Sequence, residues 1–212
     1  MRGDSPALSG VGLGFRPQLA GALLAEPSSV DFVEIVAEAC RGGRTRRGAI
    51  ARSEIWPVEH VAFVRAGGRE IGHLTELPMT TEAVSVVARN VARLRRALPD
   101  VPLLLENVAR AFLWHEPQMD EGDFYAEIVE ATGCDLLLDV GNLYANAVNA
   151  GREPEELLAR FPLERVGMLH VAGGVREHGF YFDTHAHPVP EPVFALVGRA
   201  LEARPGAGVL LE

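Results

Sequence analysis

The chain has 212 residues, 20 basic against 29 acidic side chains, a formal net charge of −9 and a hydrophobic content of 48%. That length suits one domain or two small ones, and the apolar fraction excludes global disorder. All 20 basic residues are arginine, and the acidic balance argues against a non-specific nucleic-acid binder, which needs net positive surface.

Cys40 and Cys134 lie far apart, so neither a disulfide framework nor a thiolate metal knot is indicated. The N-terminus lacks the apolar core of a signal peptide, and no run approaches the roughly 18 apolar residues of a membrane span. A cytoplasmic protein without membrane contact is expected.

In chain order, 31–38 (DFVEIVAE) reads as a strand. Residues 40–57 (CRGGRTRRGAIARSEIWP) are rich in Arg and Gly with neither helical nor strand period, and read as a solvated loop. A second strand follows at 59–64 (EHVAFV). Then comes a helix at 81–98, with Val84, Val87, Ala88, Val91 and Leu94 at helical spacing and Thr80 or Thr81 as cap. Further strands are expected at 102–107, 134–140, 165–172, 180–185 and 208–212. Helices are expected at 122–132 (closed by Gly133), 154–160 and 190–203. Several strands are continuously apolar, as in parallel sheets buried on both faces. Repeated β-then-α units predict a parallel sheet, open or closed into a barrel, in a single domain over 1–212.

Nearly every predicted strand ends in a carboxylate or an imidazole. Glu38 ends the first, and His60 lies early in the second. Glu106-Asn107, then Asp139 with Asn142, then His170, then Asp183-Thr184-His185, then Glu212 end the others. In a parallel sheet these ends share one rim, so the groups converge. Burying them together is costly unless a multivalent cation neutralises them, and an N/O donor set without thiolates suits iron, manganese or zinc.

Singly, each residue has an ordinary reading. Glu106 could cap a helix, His170 could be a hydrogen-bonded interior histidine, and Asp139-x-x-Asn142 could be an Asx turn. Asp183-x-His185 is more specific, because alternate strand residues face one side. His187 precedes Pro188 and could belong to a turn, His115 and His178 read as surface residues, and His73 precedes a Leu-Pro break. Trp56, Trp114, Tyr144 and Tyr181 read mainly as packing residues.

The stretches GVGLGFRP, VEHVAFVRAGG, GHLTELPMT, LLLENVA, LLLDVGNLYANAVN, LHVAGG, DTHAHPVP and VLLE resemble the multinuclear non-haem iron-dependent oxidases of the methanobactin-biosynthesis type, once catalogued as a domain of unknown function. The resemblance implies a TIM-like barrel, distantly similar to xylose isomerases and trinuclear-zinc endonucleases. It implies two or three irons and dioxygen, used to remodel cysteine or another side chain of a ribosomally made precursor peptide presented by a small partner protein. Carried over residue by residue, His60 and Glu106 would hold one metal, with Glu106 bridging to a second held by Asp139, His170 and Glu212. Asn142, Asp183 and His185 would hold a third. Glu106, Asp139 and His170 are the residues expected to carry catalysis.

Two departures accompany the resemblance. The family's strand ending in a metal-binding His-Gly motif, before the EHVAF strand, has no match, and 40–57 stands in its place. The chain also stops at Glu212 without a closing helix. An incomplete barrel of about seven strands is therefore expected, with a gap that exposes strand edges. The chain is then either a shortened relative or an incomplete version of a longer one. Two other readings remain. One is a zinc, manganese or magnesium barrel acting on a sugar or phosphodiester as isomerase or hydrolase. The other is a non-catalytic relative serving as a binding subunit.

Overall fold

The structure, a computed structural model, describes residues 54–97, 102–115 and 117–212, with short pieces at 12–14, 21, 25–26 and 32–36. The first strands are β1 (Gly12–Gly14), β2 (Phe32–Val36), β3 (Glu54–His60), β4 (Ala62–Ala66) and β5 (Arg69–Glu76). Helix α1 (Thr81–Ala97), β6 (Leu104–Glu106), α2 (Glu121–Thr132), β7 (Asp135–Asp139), α3 (Val140–Asn149) and α4 (Pro154–Leu158) follow. The chain continues with β8 (Val166–Val171), β9 (Gly174–Glu177), β10 (Phe180–Asp183), α5 (Glu191–Ala203) and β11 (Gly208–Leu211).

Seven strands form one parallel sheet in the order β1-β2-β3-β6-β7-β8-β11. The outer strands β1 and β11 come into contact, so the sheet curls toward a barrel. Strands β4–β5 and β9–β10 form separate antiparallel hairpins.

The helices start where the sequence supplies caps. Thr80 Oγ1 accepts the Ala83 N–H at 3.2 Å, and Asp120 Oδ1 accepts the Glu121 N–H at 2.8 Å. Gly133 closes α2 in the left-handed region (φ 67°), its N–H bonding Val129 O at 2.8 Å. One buried cluster joins the outward side of the strands (Leu105, Leu136, Leu138, Leu169) to the helices (Val87, Ile128, Leu143, Leu196). A second contains one residue from each of five adjacent strands: Val58, Leu104, Leu137, Met168 and Leu210. This second cluster is the barrel interior.

Several expectations change. The run 59–64 is not one strand: it turns a corner at Val61, where β3 ends and β4 leaves the sheet. The run 180–185 is not a barrel strand either, since Phe180–Asp183 pairs antiparallel with β9. The count of seven survives because β1 takes its place. Residues 54–57 of the presumed loop 40–57 belong to β3; residues 40–53 and Glu38 lie outside the described residues. No gap opens before the EHVAF segment, because β2 pairs directly with β3 from Phe32↔Glu54 to Val36↔Val58. Helix α3 was not anticipated, since it follows β7 with no intervening turn residue.

Asp120 ties the start of α2 to neighbouring segments. Beyond capping, it accepts from Arg152 Nη1 at 2.6 Å and lies 3.4 Å from Arg160 Nε. The Arg152 hydrogen bond, above all, holds its carboxyl below the usual aspartate range. A depressed acid stabilises the fold above its unfolded pKa and loses that contribution as pH falls through the folded value. Asp120→Ala is therefore expected to cost roughly 1 kcal/mol at neutral pH. Urea unfolding across pH will show that cost shrinking once the medium drops below the ordinary aspartate range.

Candidate metal centre

Side chains alternate along a strand, so the residue two positions after an interior residue also faces the interior. The apolar interior layer is Val58, Leu104, Leu137, Met168 and Leu210. Two residues further on stand His60, Glu106, Asp139, His170 and Glu212. The polar groups form the next layer of the barrel, stacked on the apolar one toward the C-terminal ends of the strands.

Register aligns this layer across the sheet. His60 pairs with Glu106 and Asp139 with His170, while the Glu212 N–H donates to Val171 O at 3.1 Å. A slip in β8 is needed for the last alignment. Leu136 pairs with Val166 but Leu137 with Met168, so Gly167 is an extra residue that flips parity and turns Met168 and His170 inward.

The distances follow. Glu106 Oε2 lies 3.3 Å from His60 Nε2, and its Oε1 lies 3.4 Å from His170 Nδ1. His170 Nδ1 is 3.6 Å from Glu212 Oε2. His185 spans two carboxylates, with Nε2 2.7 Å from Asp183 Oδ2 and Nδ1 3.1 Å from Glu212 Oε2. Two sets bring one ligand atom per residue within 4.8 Å of each other: Glu106, Asp139 and His170, and Asp139, His185 and Glu212. A cavity of about 290 Å³ opens among His60, Glu106, Asn142, His170, Asp183, His185 and Glu212. All eight residues proposed from sequence as ligands thus meet at one mouth. His115 and His178 are exposed, as expected, and His187 accompanies them, bonded through Nδ1 to Thr184 Oγ1 at 2.8 Å.

The donor set fits a cation. Asp139 is fully buried and its Oδ1 accepts the Asn142 N–H at 2.6 Å, yet its Oδ2 has no hydrogen-bond partner among the described residues. Asp183 Oδ1 is buried and unpartnered in the same sense. Burial, and then the neighbouring Glu106 charge, push the Asp139 carboxyl up to about 8. His185 moves up to about 10, chiefly through its bond to Asp183 and then that to Glu212. Both shifts follow from a carboxylate-rich pocket short of positive charge, which a metal ion would supply.

Asparagines hold these side chains in place; the sequence reading singled out Asn107 and Asn142 and missed Asn146 and Asn149. Asn107 clamps Asp139 through both amide atoms: Nδ2 donates to Asp139 O (2.9 Å) and Oδ1 accepts the Asp139 N–H (2.8 Å). Three more asparagines lie at four- and three-residue spacing on α3, hence on one face. Asn142 Nδ2 donates to Asn107 O, and Asn146 pins Arg110 N and Val108 O. Asn149 clamps the Tyr181 backbone from both sides, two residues before Asp183. The pattern N-x3-N-x2-N in GNLYANAVN was the available signal. Gly173 and Gly174 serve the same end, since a Cβ on Gly173 would stand 1.8 Å from His187 O and one on Gly174 2.2 Å from Phe182 O. Only glycine lets the segment carrying Asp183 and His185 lie this close to the exit of β8.

Comparison with known proteins identifies the lineage. Residues 44–212 match the family model described as RiPP precursor modification enzyme MbnB/TglH/ChrH. The chain belongs to this family. A UPF0276 protein of Streptomyces avermitilis is 37% identical over 247 residues, covering 96% of this chain and 50% of the relative. One from Caulobacter vibrioides is 34% identical over 226 residues, covering 88% and 80%. The chain thus spans about half the length of the Streptomyces relative. That alignment, and one of 251 positions with a Rhizorhabdus wittichii relative, exceed 212 residues, so gaps within this chain are required. Among solved structures, an L-ribulose 3-epimerase (TM-score 0.52, 14% identity, 97% of this chain and 81% of that one) shares the fold. So does a D-psicose 3-epimerase (0.55, 12%, 96% and 84%). At such identities the likeness concerns the fold alone, that of an incomplete TIM barrel.

For this member of the MbnB/TglH/ChrH family, the Asn107 clamp is open to a stability test. Asn107→Leu leaves the Asp139 N–H and C=O buried without partners, at a cost of roughly 2–4 kcal/mol. The measurement is the urea-unfolding free energy, and a cost under 1 kcal/mol would show that the clamp does not hold the site.

Proposed function

We propose that this chain is a multinuclear iron-dependent oxidase that modifies a residue, cysteine first among the candidates, of a ribosomally made precursor peptide. Membership in a family of RiPP precursor modification enzymes supplies the substrate class. The observation that carries the finer reading is the layer of His60, Glu106, Asp139, His170 and Glu212, together with two buried oxygens, Asp139 Oδ2 and Asp183 Oδ1, that have no hydrogen-bond partner among the described residues.

In this reading Glu106 would serve two ions, because its two oxygens face different imidazoles, His60 and His170. Asp139, His170 and Glu212 would hold one of these ions. Asn142, Asp183 and His185 hold a third position, where the neutral amide is the weakest donor. Bound iron would supply one-electron chemistry with dioxygen. The protein's part is placement: Asn107 fixes Asp139, Asn149 fixes the approach to Asp183, and the Leu104–Leu137–Met168 layer keeps water from below. Catalysis rests on Glu106, Asp139 and His170.

The substrate enters from the rim, where β4–β5 and the loop after β6 stand. Phe63, Phe112 and Trp114 are exposed there and in mutual ring contact (Trp114 centroid 6.3 Å from Phe63 and 5.2 Å from Phe112). They offer an apolar surface to a precursor peptide and to a small presenting partner. Neither nucleic acid nor membrane enters this reading, and among the described residues no helix is long and apolar enough to cross a membrane.

The test is co-expression with a cysteine-containing peptide encoded beside the chain. A mass shift in the peptide and iron in the purified protein are expected, and Glu106→Ala should abolish the shift. Zinc in place of iron, with no ultraviolet–visible change on exposure to oxygen, would favour a hydrolytic or isomerising barrel. A Glu106→Ala protein that binds the peptide and keeps the shift would leave a scaffold role.

A further inference from the structure

His73 is an imidazole that the strand-end pattern does not contain, and its placement is unusual. It lies on β5, in the hairpin that begins two residues after His60. The β4–β5 ladder is irregular at this point. Phe63 pairs with Thr75 and Arg65 with Glu70, so β4 advances two residues where β5 advances five. The extra residues of β5 include His73 and, just before it, Gly72 with φ +76°, a conformation suited to glycine. Bulges beside functional sites re-aim side chains. Here the re-aimed His73 lines the metal-centre cavity together with His60 and Glu106.

The His60 side of that centre needs such a group. The two close ligand sets use Glu106, Asp139 and His170, and Asp139, His185 and Glu212; among the described residues neither His60 nor His73 belongs to either. An ion between His60 Nε2 and Glu106 Oε2 draws two ligands from the described barrel strands, whereas catalytic N/O sites commonly use three protein ligands. A bulge that turns an exposed histidine into the same cavity has little use in the hairpin's own packing.

We propose that His73 is a metal ligand, supplied by the β4–β5 hairpin to the ion held by His60 and Glu106. This rests on the metal reading above. It makes the hairpin part of the site, so that binding an ion at His60 also fixes the rim on which Phe63 stands. His73 also lines a second cavity of about 300 Å³, which meets the first at His73, Ala109 and Asp183 and is walled by Phe180, Tyr181 and Phe182. A ligated His73 would set the boundary between the two.

The test uses the full chain and cobalt(II) as probe, without oxygen. Cobalt bound per chain and visible absorption are followed for wild type, His73→Ala, His60→Ala and the double variant, with thermal unfolding as a control of folding. His73 is exposed, so its replacement should leave the melting temperature of the metal-free protein unchanged. The expected result is that His73→Ala weakens one cobalt by at least about tenfold and alters its spectrum. His60→Ala should lose the same ion, and the double variant no more. Wild-type stoichiometry and spectrum in His73→Ala, with loss in His60→Ala, would overturn the role of His73 and leave the metal reading standing. Wild type that binds no cobalt would overturn both.

Discussion

Five ionisable side chains occupy one interior layer of the barrel, with an apolar layer directly beneath. Charges so placed are desolvated on the apolar side and repel one another, and their cost must be met by hydrogen bonds, protons or cations. The displaced acidities of Asp139 and His185 are the response of the protein groups themselves. Buried oxygens on Asp139 and Asp183 without hydrogen-bond partners among the described residues are the remainder, and a metal ion would be a fitting compensating charge.

Most of the polar network around this layer serves position. Asn107 grips the backbone of Asp139, and the asparagine face of α3 ties the loops after β6 and the β10 strand to a single helix. The polar layer therefore has a scaffold that is itself polar and largely buried, with Asn107, Asn142 and Asn146 buried and Asn149 partly so. Such networks specify one arrangement because a partial one is costly. Glycines at 173 and 174 complete it by letting one backbone lie against another.

The direct pairing of β2 with β3 bears on the shortened barrel. Parallel strands need partners, and the backbone ladder here joins β2 to β3 without leaving open edges between them. The hairpin after β3 is tethered directly to His60 and carries an imidazole at its bulge.

Much of this was legible in the sequence. Continuous apolar runs such as LLLD and LLLE announce buried parallel strands, and the carboxylate or imidazole at the end of each announces a shared rim. Both follow from local pattern, because a strand's period and its terminal residue are written in consecutive positions. The tertiary structure decided what depends on pairing. The corner at Val61 and the slip at Gly167 leave no local signature, since a register shift is a relation between two strands. The run 180–185 has the composition of a strand, and only its partner β9 makes it a hairpin and removes it from the barrel. The role of His73 likewise stayed hidden, because an unequal advance of β4 and β5 places it in the cavity and the sequence shows only a histidine before a leucine.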